Sequence, residues 1–270
     1  MKNLFSVKDK VVLITGGTGV LGSCMVHHFA EQGAKVVFFG RNSETGHKLE
    51  SEVKESGFES LFLQADVLDR SRLEECYDEI MNRFGRIDVL INGAGGNMPG
   101  ATIPPDKTIF DLDLGAFEKV VDLNLYGTIL PTMVFSLAMS QQKEGVIINI
   151  ASESAIRPLT RVCGYGTAKA AVVNFTRYLA GELATKFGSG LRVNAVAPGF
   201  FLTEQNRALL TNSDGSYTER AKTIIAHTPF GRFGKPDELL GTMQYLASDA
   251  SKFLTGTLIV VDGGFDAFSI

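Results

Sequence analysis

The chain has 270 residues, 44% hydrophobic and 21% charged, which suits one large α/β domain with a full core. A net charge of −4 with no dense Lys/Arg run points away from a nucleic-acid partner, and no apolar stretch approaches membrane-spanning length. The opening "MKNLFSVKDKVV" lacks the apolar run and small-residue cleavage site of a signal peptide, so a cytoplasmic protein without a membrane partner is expected. Its three cysteines, Cys24, Cys76 and Cys163, are far apart and read as reduced thiols. Adjacent His27 and His28 would point about 100° apart on a helix, and no metal site is expected.

In chain order, "VVLIT" (11–15) reads as a first strand, followed by a helical segment near 20–32. "AKVVFFG" (34–40) precedes a helix near 44–57, and "LFLQA" (61–65) a helix near 69–84. "DVLIN" (88–92) leads, through a Pro/Gly-rich loop over 95–113, to a long helix near 114–139. "GVIINIA" (145–151), a helix near 165–187 and "LRVNAVA" (191–197) follow. After a polar stretch over 200–220 come a helix near 236–248 and a last strand, "GTLIVVD" (256–262). Continuous apolar strands alternating with helices imply a doubly wound, seven-stranded parallel sheet with helices on both faces. No linker or repeat divides it, so residues 1–270 are expected to form a single α/β domain of the Rossmann type. Long loops in a compact domain usually carry function, and the segment over about 200–226 reads as a lid for a substrate.

The first strand runs into "TGGTGVLG" (15–22), where Gly17, Gly19 and Gly22 satisfy G-x-G-x-x-G between a strand and a helix. Glycines there permit a tight turn, close approach of backbone N–H groups to a pyrophosphate, and close helix–strand packing. At the end of the second strand, where an acidic residue would meet a ribose 2′-OH, the chain reads Gly40, Arg41, Asn42. Without a carboxylate to repel it, a 2′-phosphate could pair with Arg41. NADP(H) is therefore favoured, with NAD(H) possible because Glu44 on the next helix could still reach a hydroxyl.

A series of further motifs follows in order. Asp66-Val67, "NGAG" (92–95), Asn124 in "DLNLYG", Ser152 after the fifth strand, Tyr165 and Lys169 in Tyr-x-x-x-Lys, "PGFFLT" (198–203) and "VDGG" (261–264) accompany the glycine loop. Each alone is weak. Together, from about residue 4 to 265, the chain resembles the short-chain dehydrogenase/reductase family. The resemblance implies a cofactor loop of Gly16, Gly17, Thr18, Gly19, Leu21 and Gly22, with Arg41 and Asn42 near the ribose. Asp66 and Val67 would hold the adenine, Asn92, Ala94 and Gly95 the middle of the dinucleotide. Pro198, Gly199, Phe201 and Thr203 would clasp the nicotinamide, whose ribose Tyr165 and Lys169 would also touch. Two positions depart from the family pattern: Val20 replaces a glycine of T-G-x-x-x-G-x-G, and Gly93 replaces the second Asn of "NNAG".

Tyr165 and Lys169 are i and i+4, so they share one helix face. Lowering a tyrosine from a pKa near 10 by two to three units requires about 3–4 kcal/mol. An ammonium about 4 Å away at an effective dielectric near 20 supplies about 4 kcal/mol. Lys169 is thus expected to make Tyr165 an acid/base, with Ser152 directing the substrate oxygen. By resemblance, Asn124 completes the catalytic set by holding a proton-relaying water. A dinucleotide sensor that had lost catalysis would show erosion at these four positions, and none is eroded.

Within the family, "NLFSVKDKVVLITGG", "INGAGGN", "LNLYGTILPT", "APGFFLTEQNRALL" and "AHTPFGRFGKPDELLGT" are similar to the branch that interconverts D-mannonate and D-fructuronate. A sugar-acid site needs a cation for the carboxylate and amides for the hydroxyls. Ser152, Arg157, Gln205, Asn206 and Arg207 are the candidate substrate residues, and Arg161 is a third candidate clamp. Another polyol, sugar acid or 3-oxoacyl group remains the alternative. The long helices near 114–139 and 165–187 pair between subunits in this family, which implies a homotetramer.

Overall fold

Alternation along the strands divides the interior into two cores. The computed structural model describes residues 3–202 and 210–267. Its seven strands are β1 (Val11–Thr15), β2 (Lys35–Gly40), β3 (Ser60–Gln64), β4 (Val89–Asn92), β5 (Gly145–Ile150), β6 (Leu191–Pro198) and β7 (Leu258–Val261). All pairings are parallel, in the order β3-β2-β1-β4-β5-β6-β7. The helices are α1 (Val20–Glu31), α2 (Ser43–Glu55), α3 (Arg70–Phe84), α4 (Leu114–Val121), α5 (Gly127–Gln142), α6 (Cys163–Phe187), α7 (Glu219–His227) and α8 (Leu240–Ala247).

Successive strand side chains face opposite ways. Val12, Ile14, Val36 and Phe38 therefore join a core closed by Met25, Val26 and Phe29 of α1 and by Met243 and Leu246 of α8. Val11, Leu13, Val37 and Phe39 join the other, closed by Leu73 and Ile80 of α3, Phe135 and Met139 of α5, and Leu183 of α6. Each such side chain contributes about 1.5–3 kcal/mol by leaving water. At one end of α8, Arg192 donates to the carbonyls of Leu246 (3.0 Å) and Ser248 (3.1 Å), and Lys10 to that of Ala247 (2.9 Å). Cations there complement the partial negative charge of a helix C-terminus.

Four sequence expectations need correction. The long helix expected near 114–139 is α4 and α5 joined by a π-helical turn, Asp122–Tyr126, and it runs on to Gln142. Taken together, Leu114–Gln142 is long and apolar enough to cross a membrane by length and composition, contrary to the expectation from the sequence. Here part of that apolar content serves the core, through Val134, Phe135, Ala138 and Met139, while Leu114, Met133 and Leu137 are exposed. Finally, the polar stretch expected to be loop over 200–220 is followed by a helix, α7, capped by the Thr218 hydroxyl on Ala221 N (3.3 Å). The last helix of the sequence reading begins as a 3₁₀ turn, Pro236–Leu239.

Candidate active site

A cavity of about 420 Å³ opens at the carboxyl ends of the strands, where the chain order reverses between β1 and β4. Open α/β sheets bind ligands at this switch point. Gly16 (φ +68°) turns the chain out of β1, and a Cβ on Gly22 would stand 2.1 Å from the Gly16 carbonyl oxygen. The missing side chain is what lets α1 start against the turn. Gly19 caps α1 without any side-chain hydrogen bond, leaving the first N–H groups of the helix at a wall formed by Thr18, Gly19, Val20, Leu21 and Gly22. Free helix N–H groups beside a side-chain-free turn fit a pyrophosphate. Val20, in place of a family glycine, lines the same wall.

Gly40, Arg41, Asp66 and Val67 line the far end. A Cβ on Gly40 would lie 2.6 Å from the Thr18 hydroxyl oxygen, so the Thr18 side chain occupies the place of a side chain at the end of β2. Ala94 and Gly95 line the middle, pinned by the Thr15 hydroxyl, which accepts from Gly93 N and Ala94 N, each at 3.1 Å. A Cβ on Gly93 would stand 2.8 Å from the Thr15 carbonyl oxygen, which accounts for the glycine in "NGAG". Pro198, Gly199 and Phe201 form the opposite lip.

Five expected residues do not line this cavity. Gly17 packs on Phe38, whose Cβ would be 2.6 Å from a Cβ at that position. Asn42 accepts from Thr45 N (2.9 Å) to cap α2. Asn92 points into the fold, donating to Thr132 Oγ1 and Asn149 Oδ1, both at 2.8 Å, so it supports the site from beneath. Asn124, within the π-helical turn, donates to the carbonyls of Gly96 (2.7 Å) and Val120 (2.8 Å) and accepts from Gly96 N (3.1 Å). Both amide hydrogens are spent, which leaves the side chain holding the 95–96 wall. Arg157 is engaged by Asp266, with Nε 2.7 Å from Oδ1. Thr203, Gln205, Asn206 and Arg207 lie outside the described residues.

Ser152, Tyr165 and Lys169 do line the cavity together. Ser152 leaves β5 in an extended conformation and caps the 3₁₀ turn Glu153–Ala155, its Oγ accepting from Ser154 N at 3.2 Å. Tyr165 sits in the first turn of α6, on the same cavity wall as Ser152. Lys169, one turn on, is buried, donates to the Ile150 carbonyl at 2.7 Å, and lies 5.7 Å from the Tyr165 ring centroid. Burial pushes the Lys169 ammonium down to about 8. Burial also raises the Tyr165 hydroxyl above its ordinary value, and the Ser152 hydrogen bond pulls it partly back. Burial is the larger of the two causes, and Lys169 is not one of them. The trio can hold a carbonyl oxygen and exchange a proton with it.

The sequence profile described as short chain dehydrogenase matches residues 10–214. The chain belongs to the short-chain dehydrogenase/reductase family. This dehydrogenase is 44% identical over 273 residues to UxuB, an uncharacterized oxidoreductase of Bacillus subtilis strain 168, covering 98% of this chain and 97% of that one. It is similar to a crystal structure of a D-mannonate oxidoreductase candidate from Haemophilus influenza with bound NAD (39% identity, TM-score 0.91, 99% of each chain). A gluconate 5-dehydrogenase from Burkholderia cenocepacia J2315, in complex with NADP and tartrate, superposes at TM-score 0.87 with 30% identity over 98% of each chain. The dehydrogenase is thus an NAD(P)-binding oxidoreductase acting on a small molecule. The residues that the sequence reading missed, among them Val20, Gly96, Leu123 and Phe200, are mostly small or apolar wall groups whose types carry no chemical signal.

Proposed function

We propose that this dehydrogenase interconverts D-mannonate and D-fructuronate and prefers NADP(H) to NAD(H). The observation that carries the chemistry is the convergence of Ser152, Tyr165 and Lys169 on one cavity wall, with Lys169 Nζ 5.7 Å from the Tyr165 ring centroid. The bound dinucleotide supplies or accepts the hydride. Ser152 orients the substrate oxygen, and Tyr165 gives the proton in reduction and takes it in oxidation. A raised tyrosine pKa favours the protonated donor, and Lys169, charged below about 8, stabilises the phenolate left behind. Asn124 acts as a positioning residue for the wall at Gly95 and Gly96.

For the substrate carboxylate, Arg157 is engaged by Asp266, which leaves Arg161, four residues before Tyr165, as the described candidate beside Arg207, which lies outside the described residues. Arg220 of α7 donates to Thr160 Oγ1 at 3.1 Å, and burial, then the charge of Arg161, holds it below its ordinary pKa. Among the described residues, no carboxylate pairs with either guanidinium. Two adjacent arginines without a counter-ion support an anion site, and we assign the sugar-acid carboxylate to them. The tartrate and gluconate of the Burkholderia relative are likewise polyhydroxy acids.

Arg41 at the cavity and the absence of a carboxylate at Gly40 support NADP(H), while the relatives hold both NAD and NADP. Exposed Leu114, Met133, Leu137 and Tyr178 on α4, α5 and α6 support assembly with further copies, as a homotetramer, which light scattering would measure. Following reduced-nicotinamide loss with D-fructuronate, with NADPH and NADH in parallel, tests substrate and cofactor together. Turnover of another keto-sugar or a 3-oxoacyl thioester in its place would overturn the substrate and leave the reaction.

A further inference from the structure

Directly after Ser152, Glu153 is 1% exposed, and neither of its carboxylate oxygens has a hydrogen-bond partner. An ionised carboxylate cannot be kept buried and unpaired without several kcal/mol of compensation. The surroundings offer little. Asp262 and Asp266, on the turn that follows β7, act on Glu153 as like charges, and Arg157, the opposing cation, is already engaged by Asp266. The first turns of α6 carry the ionisable groups Cys163, Tyr165 and Lys169, the first exposed and the last turned to Ile150. Arg232, across the lip from Asp262, is paired with Glu238 at 2.6 Å. Arg192 of β6 stands at the opposite end of its strand.

The turn after β7 touches both described borders of the substrate segment. Gly263 (φ +68°) and Gly264 (φ +91°) bend it, and Asp262 closes it by accepting from Gly264 N (2.8 Å) and Asp266 N (2.5 Å). It abuts the cavity lip, where a Cβ on Gly199 would stand 2.6 Å from Asp262 Cβ. Phe265 meets Phe200 edge-on at 5.1 Å between ring centroids. Gly263 accepts from Phe230 N at 3.1 Å, just beyond the end of α7. Glu153 and Arg157 join this hub to the chain that carries Ser152.

We propose that Glu153 is a positioning residue: as a neutral carboxylic acid it keeps the C-terminal turn packed against the Ser152 segment, so that the Ser152 hydroxyl and the two described borders of the substrate segment hold one arrangement. Ionisation breaks that packing and lowers turnover. Burial first, then Asp266 and Asp262, push the Glu153 carboxyl up to about 7, against the pull of Arg157, so the device works at neutral pH.

The activity arm of the test rests on the reaction proposed above; the stability arm does not. Wild type, Glu153→Gln and Glu153→Ala are compared from pH 5.5 to 8.5 by thermal unfolding and by kcat/KM. Glutamine keeps the neutral shape. The neutral fraction of an acid titrating at about 7 falls about tenfold between pH 6 and 8. The ratio of kcat/KM for Glu153→Gln over wild type should therefore stay near one at pH 6 and rise towards about tenfold at pH 8. Tm of wild type should fall relative to that of Glu153→Gln as pH rises from 5.5 to about 7 and then level off, because below about 7 the native state holds a proton that an unfolded glutamate, at 4.5, has already released. Glu153→Ala should be impaired at every pH. Parallel Tm curves for wild type and Glu153→Gln, or a Gln variant as impaired as the Ala variant, would overturn the proposal. Absence of turnover with D-fructuronate beside diverging Tm curves would overturn only the substrate.

Discussion

Lys169 donates a hydrogen bond from its buried ammonium to the carbonyl of Ile150, 19 residues earlier, at 2.7 Å. That bond ties α6 to the end of β5, two residues before Ser152, and so sets the Tyr165 turn against the Ser152 turn. The same lysine stands 5.7 Å from the Tyr165 ring centroid. One side chain therefore fixes the geometry of the proton-transfer pair and supplies its charge.

Tyr165→Phe removes the proton donor and keeps the ring against Lys169. Positioned acid/base groups contribute about 10²–10⁴-fold, so kcat should fall by about a thousandfold. Dinucleotide affinity, followed by nicotinamide fluorescence, should change by less than about threefold. Loss of binding without loss of kcat would assign the tyrosine to the cofactor alone.

Lys169 titrates at about 8, below its ordinary 10.5. The sign follows: the native state prefers the neutral amine, so burying the ammonium costs stability below about 8, and that cost is relieved as pH climbs towards 10.5. A shift of this size corresponds to about 3 kcal/mol at most. Lys169→Met should be nearly inactive, and its unfolding free energy relative to wild type should decline between pH 7 and pH 10. A relative stability that does not change with pH would contradict the buried, shifted ammonium.

Arg41→Ala should lower kcat/KM for NADPH about tenfold to a hundredfold, the worth of a charge-assisted hydrogen bond to phosphate. NADH should be nearly unaffected. Equal losses with both cofactors would place Arg41 outside 2′-phosphate recognition.

Arg161→Gln and Arg220→Gln should each raise KM for a sugar-acid substrate about tenfold or more, leaving KM for a neutral keto-sugar unchanged. Their combined effect should fall short of the product of the two, since both serve one carboxylate. Steady-state kinetics on the single and double variants check this.

Most of the fold was legible because each strand is an apolar run long enough to be buried on both faces, as "VVLIT" and "GVIINI" are. The Ser152, Tyr165 and Lys169 site was legible because its spacing is chemically specific. What escaped was tertiary. The π-helical turn at Asn124 changes the helix by too little for periodicity to register, yet it aims that side chain at Gly96. α7 buries only Ala221 and Ile224, too few to stand out in a polar stretch. Arg157 meets Asp266 across 109 residues, and the pKa direction at Tyr165 depends on burial that local sequence does not encode.

The central claim is hydride transfer to the carbonyl of a sugar acid. Reduction of D-fructuronate with NADPH deuterated at the transferring carbon tests it directly. The account predicts D-mannonate carrying one deuterium on the carbon that had been the carbonyl, and no such product from Tyr165→Phe on the same timescale. Failure to form D-mannonate with either cofactor, while the same preparation reduces another class of ketone, would contradict it.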